Sequence, residues 1–191
     1  MNRLVLTTPL NGLIAASLHS GDQVMLSGVI YTARDAAHKR FIEFIDRGEK
    51  LPVDFSGQVL YYCGPAPAKP GRFSGSAGPT TSARIDVYTP KLLGATGLRA
   101  MIGKGERSGG VVDAMIKHGC VYFAATGGAG ALIAKSIRSS AVVCFEDLGP
   151  EAVFRLEVQN MPLIVAIDSK GNDLYKNGPA EFRKIQRTSP V

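Results

Sequence analysis

Apolar positions fall first into short strand-like runs and later into an alternation of strand and helix. Leu4 to Thr7 is a β-rich run closed by Pro9, and Val24 to Tyr31 alternates apolar and polar residues. Both read as strands. Asp35 offers an N-cap for a helix through Arg47, along which Ala36, Ala37, Phe41, Phe44 and Ile45 form one apolar stripe before Gly48 ends it. Val59 to Cys63 predicts a third strand. Gly64 to Gly78 is rich in Pro, Gly and Ser and is the longest irregular segment. Loops of that length in compact domains tend to be functional.

A helix is expected from Ser82 towards Tyr88, and Pro90 opens a second one through Leu93. Ala100 to Ile102, Val121 to Ala125 and Ala141 to Phe145 then read as strands, with helices over Gly109 to His118 and Ala129 to Ser136 between them. Val153 to Val158 and Leu163 to Ile167 are late strands, the second running into the turn Asp168-Ser169-Lys170-Gly171-Asn172. The order predicts a layered α/β domain with a mixed sheet: a sheet covered by helices, and a second packed sheet. The 191 residues fit one domain without repeats or low-complexity tails.

Charge narrows the partners. A formal charge of +6 invites a nucleic-acid reading, yet the cations are scattered. Their one dense cluster, Arg183-Lys184 with Arg187, has no interleaved aromatics. A diffuse positive field equally steers anionic metabolites into a cleft. Cys63, Cys120 and Cys144 stand far apart with no Cys-x-x-Cys pair, which fits a reducing cytosol and gives no metal-ligand spacing. Cys120 and Cys144 read as buried core thiols, and Cys63 has no His or Cys beside it to make it a ligand. The apolar start of the chain is too short for a signal peptide, and no run reaches the length of a membrane span.

Binding groups outnumber catalytic ones. In Gly78-Pro79-Thr80-Thr81-Ser82-Ala83-Arg84 a tight turn brings two hydroxyls and then a guanidinium, whose planar fork matches a carboxylate. Arg34 precedes a predicted helix, where the helix dipole disfavours a cation unless an anion binds there. His38 lies one turn further on. Lys104, between Gly103 and Gly105, projects from the carboxyl edge of a predicted strand, where ligands of open α/β sheets gather. Phosphate-loop and dinucleotide glycine patterns both fail around it. Thr126-Gly127-Gly128-Ala129-Gly130 follows another strand and has backbone N–H groups to offer an anion. No Ser/His/Asp order, Gly-x-Ser-x-Gly elbow or paired carboxylates stand out.

Four segments carry a resemblance: Thr32 to His38, Gly78 to Arg84, Gly103-Lys104-Gly105 and Asp168 to Asp173. In this order they resemble the β subunit of class I fumarate hydratases and the related β subunit of L-tartrate dehydratase. The resemblance implies a swivelling β/β/α domain, like the C-terminal domain of single-chain relatives. It also implies a hydro-lyase, adding water reversibly to fumarate to give S-malate. The [4Fe-4S] cluster of that family belongs to a separate α subunit and is not ligated by this chain. Arg34, Arg84 and Lys104 would hold substrate carboxylates, and Thr80 and Thr81 would contact the substrate. Thr80 is the residue proposed for proton transfer, with Asp35 and His38 supporting Arg34. A cytoplasmic assembly of two α and two β subunits is implied. Gly105-Glu106-Arg107-Ser108 and Ala36 favour the fumarate over the tartrate pattern. A stand-alone dicarboxylate-binding module without catalysis, and a nucleotide-binding domain built on Thr126 to Gly130, remain alternatives of other classes.

Overall fold

In the computed structural model, which describes residues 3–125, 128 and 130–188, the chain is a mixed α/β domain around a seven-stranded sheet. In order it runs β1 (Leu4–Thr7), α1 (Gly12–Ser17), β2 (Gln23–Thr32), α2 (Asp35–Asp46) and β3 (Val59–Tyr61). A 3-10 turn (Ser82–Ile85) precedes α3 (Thr89–Thr96), β4 (Ala100–Gly103), α4 (Gly109–His118) and β5 (Val121–Ala124). Then follow α5 (Gly130–Ala134), β6 (Ile137–Cys144), a second 3-10 segment (Glu146–Glu151), β7 (Val153–Ile167) and α6 (Leu174–Thr188).

The strands join in the order β1-β2-β3-β4-β5-β7-β6, with β2 also pairing β7. Strand β2 meets β1 along Val24 to Ser27 and β3 at Tyr31 and Thr32, all parallel, while β7 runs antiparallel along its other edge. Because β7 pairs β5 as well, β2, β3, β4, β5 and β7 form a closed hydrogen-bonded circuit. The expectation of a second, separate packed sheet is therefore corrected. Strands β2 and β7 are long enough to bend round and join what would have been two sheets.

Alternation along the strands separates two cores. Val24, Leu26, Ile30, Val59, Ile102, Phe123, Leu156 and Val165 meet inside the circuit. Leu60, Tyr62, Met101 and Tyr122 point the other way, against Phe41 of α2, Leu92 and Leu93 of α3 and Met115 of α4. Helices α2 to α4 thus hold down β3, β4 and β5, whose carboxyl ends stay open.

Several predicted boundaries move. The two late strands are one fifteen-residue strand, continuous through Asn160 at φ 52°. The expected helix from Ser82 towards Tyr88 is only a 3-10 turn before α3 begins. Strand β6 starts earlier than Ala141 and ends at Cys144, because Phe145 takes a left-handed conformation. Asp35 is the first residue of α2 and does not cap it; the capping position is Arg34, with extended backbone and no side-chain bond to the helix. Helix α1 was not expected, although Asn11 caps it by accepting from Ile14 N–H at 2.8 Å.

Candidate functional site

Strands β2, β3 and β4 run parallel and end side by side, and a cavity of about 250 Å³ opens there. Arg34 enters it from beyond β2, Gly64 from beyond β3 and Lys104 from beyond β4, and Pro79, Thr80 and Thr81 close it. The structure therefore brings together Arg34, Thr80, Thr81 and Lys104, residues up to 70 positions apart in sequence (104 − 34).

Backbone bonds fix the hydroxyl-bearing turn to the sheet. Thr80 N–H donates to Tyr62 O at 2.7 Å, and Thr81 bridges Lys104 as a further short parallel pairing. Ser82 N–H donates to Lys104 O at 3.0 Å, while Lys104 N–H donates to Ser82 Oγ at 3.1 Å. The Tyr122 hydroxyl stands 2.9 Å from the same Oγ and 3.1 Å from Gly105 O. So dense an arrangement needs a glycine at 103: a Cβ there would lie 1.9 Å from Ser82 Oγ. The main chain at Lys104 is bonded through both its N–H and its carbonyl, and its ammonium has no ion-pair partner among the described residues.

The two arginines differ. Arg34 is 27% exposed, with Nη2 3.3 Å from Glu151 Oε1 and 3.9 Å from Asp35 Oδ2, and its buried Nε has no partner. Arg84 is 59% exposed, donates through Nε to Asp35 Oδ1 at 3.1 Å, and does not line the cavity. Asp35 thus ties the two guanidinium groups together. His38 is fully buried among Phe41, Tyr62 and Tyr88. Burial pushes its imidazole down to about 4, outweighing the raising effect of the Arg34 carbonyl. The neutral ring donates from Nδ1 to Arg34 O at 2.8 Å, so His38 steadies the Arg34 backbone from below the cavity.

Several contributors were not foreseen. Glu151 pairs with Arg34, and its other oxygen accepts from Ala36 N–H at 3.1 Å. Ser82 and Tyr122 lock Lys104 as described. Arg107, with its side chain wholly buried, donates to Asp86 at 2.7 Å and to Thr89 at 2.8 Å between the rings of Tyr62 and Tyr122. Asp86 also accepts from Ser108 N–H at 2.7 Å, pinning the loop that follows Lys104. The Asp168 to Asp173 turn lies away from the cavity. Asp168 organises it: burial raises its carboxyl, but bonds from Asn172, Lys170 and Ser20 outweigh that and hold it below the usual carboxylate range. Thr126, Gly127 and Ala129 of the other glycine turn lie outside the described residues.

Among the described residues no group of three or more His, Cys, Asp or Glu side chains could hold a metal ion. Burial pushes the Cys63 and Cys120 thiols up to about 12, against the thiolate a metal needs. Cys144, expected in the core, is half-buried at the end of β6. Among the described residues no helix is long and apolar enough to cross a membrane.

Known proteins carry similar chains. A family model described as "Fumarase C-terminus" matches residues 2–178. The chain belongs to the fumarase C-terminus family. It is 42% identical over 156 residues to "Fumarate hydratase 2" of Leishmania major, covering 81% of this chain and 28% of that protein. It is 41% identical over 155 residues to "Fumarate hydratase class I, aerobic" of Escherichia coli (strain K12), with the same coverage. This fumarase C-terminus domain therefore spans little more than a quarter of those fumarate hydratases. Against a "Putative L(+)-tartrate dehydratase subunit beta" of Methanocaldococcus jannaschii it is 43% identical over 164 residues, 83% of this chain and 84% of the relative.

Proposed function

We propose that this chain is the β subunit of an iron–sulfur-dependent hydro-lyase and supplies the dicarboxylate clamp for reversible hydration of fumarate to S-malate. One observation carries the reading. A Lys104 ammonium with no ion-pair partner among the described residues, the Arg34 guanidinium and two threonines share one small cavity at the carboxyl edge of parallel strands. One carboxylate of a dianion pairs with Arg34 and the other with Lys104. Thr80 and Thr81 hydrogen-bond the bound acid, and Arg84 swings from Asp35 to the substrate at the exposed rim. Each charge-assisted contact contributes about 1.5–3 kcal/mol.

Thr80 is the candidate for moving a proton at the carbon next to the hydroxylated one. A free threonine hydroxyl is a weak base, so it acts as one link of a relay completed by another chain. The residues of this chain do not fit a [4Fe-4S] cluster, and no step performed by them runs through one. A cluster-bearing α subunit in a cytoplasmic two-α, two-β assembly, against which this domain swivels, completes the reading. L-Tartrate is the second substrate to consider, because the relative matched over 84% of its length bears that name.

The test is steady-state hydration of fumarate, and dehydration of L-tartrate, by the chain assembled with a cluster-bearing partner. Lys104→Ala and Arg84→Ala are each expected to lower kcat/KM by about ten- to a hundredfold, with the cluster absorbance unchanged. Wild-type rates in both variants would refute the clamp. Tight S-malate binding by the isolated chain, with no turnover in any assembly, would favour a stand-alone binding module.

A further inference from the structure

Glu151 is delivered to the cavity by a tightly held segment. Phe145 packs against Phe41 and Phe44 of α2, and both terminal guanidinium nitrogens of Arg40 reach the Asp147 carboxylate. On its other side the segment presses on the chain after β3. A Cβ at Gly64 would lie 2.8 Å from Pro150 O and 3.0 Å from Arg34 Cδ. Gly64 is thus the gap through which the Arg34 side chain and the Pro150-Glu151 backbone come together.

Both groups that meet the Glu151 carboxylate are donors: Arg34 Nη2 at 3.3 Å and Ala36 N–H at 3.1 Å. The two donors reach different oxygens, so in this conformation glutamine would turn its NH2 against one of them. Arg34 gives α2 no side-chain cap, and Glu151 supplies one from 115 residues away, with a charge that suits the positive end of the helix. One carboxylate therefore fixes the start of α2 and the guanidinium that precedes it.

We propose that Glu151 is a positioning residue of the clamp: it orients the Arg34 guanidinium at the cavity for a substrate carboxylate. This rests on the clamp reading above. It also has a sign that charge alone would not give. If Glu151 acted only as a competing anion, its neutralisation would tighten dianion binding and lower KM. If it positions Arg34, the same change loosens the clamp and raises KM.

The experiment is a cycle of wild type, Arg34→Ala, Glu151→Gln and the double variant, assayed for fumarate hydration in the assembled enzyme. Glu151→Gln is expected to raise KM about tenfold, the size of one lost charge-assisted bond, with a smaller change in kcat. In the Arg34→Ala background it is expected to add nothing. A lowered KM, or a full additive effect in that background, overturns the proposal. An Arg34→Ala enzyme with unchanged KM would instead refute the clamp reading. The positioning role is then decided on the full chain alone, by the 15N relaxation of the Arg34 Nε–H. That signal is expected to be rigid in wild type and mobile in Glu151→Gln, and equal mobility in the two sinks the inference.

Discussion

Gly103→Ala probes the packing that holds Lys104. The new Cβ would sit 1.9 Å from Ser82 Oγ and 3.1 Å from both the Tyr122 hydroxyl and Tyr62 Cδ2, in a region with no solvent access. Tyr62 and Tyr122 are rings locked in the outer core, so the Ser82 hydroxyl is the group that yields. Turning it away abandons the Lys104 N–H, 3.1 Å distant, and the Tyr122 hydroxyl, 2.9 Å distant. Two lost bonds at about 1 kcal/mol each, added to an overpacking cost of about 1–3 kcal/mol, give about 3–5 kcal/mol. For a domain of this size that lowers Tm by about 6–20 °C. Urea unfolding and calorimetry of the purified chain measure both quantities. In a Ser82→Ala background the clash partner is gone, so Gly103→Ala is expected to cost clearly less there. A Gly103→Ala chain within about 0.5 kcal/mol of wild type, the range of ordinary surface changes, would refute the argument. So would a cost unchanged by removal of the serine hydroxyl.

Two further outcomes follow from groups beneath the cavity. Arg107→Met strands the Asp86 carboxylate, which is only 13% exposed, and is expected to destabilise by about 3–5 kcal/mol in urea melts, with part recovered by Asp86→Asn. An Arg107→Met chain as stable as wild type would contradict the buried ion pair. His38 is held neutral down to about pH 4, whereas the unfolded chain protonates near 6.5. Its contribution is therefore fully present above pH 6.5 and lost as pH falls towards 4, a swing of up to about 3 kcal/mol. His38→Gln is expected to flatten the pH dependence of the urea midpoint over that window; an unchanged slope would mean that the imidazole is not buried neutral.

Much of the frame was legible in the residues. The alternation in Val24 to Tyr31 located β2, and Gly109 to His118 was read with the bounds that α4 has, because caps and apolar period agree there. Arg34 and Lys104 stood out because each follows an apolar run directly, and both reach the cavity. What escaped depends on contacts between distant segments. Nothing near Glu151 announces a partner 115 residues away, and Arg107, read only within the Gly105 to Ser108 pattern, gives no local sign that Asp86 and two tyrosine rings enclose it. Val153 to Val158 and Leu163 to Ile167 were read as two strands, yet pairing with β2 on either side of Asn160 carries β7 through. Arg84, chosen for its spacing from the threonines, follows them on a 3-10 turn and donates to Asp35, a contact between segments 49 residues apart.

The closed strand circuit has a consequence for how the protein comes into being. Gln23 pairs with Ile164 across 141 residues of chain (164 − 23). Pairings so remote in sequence are slow to form, because the intervening chain must be ordered before they contribute. A ribosome-bound chain that stops before residue 151 already holds Arg34, Thr80 and Lys104, yet lacks both the strand that closes the ring and the carboxylate that seats Arg34. The five parallel strands β1 to β5 then lack their antiparallel partner, with one edge of β2 bare. Biosynthesis therefore separates possession of the clamp residues from possession of the clamp, which exists only once the last fifth of the polypeptide has folded back onto the first.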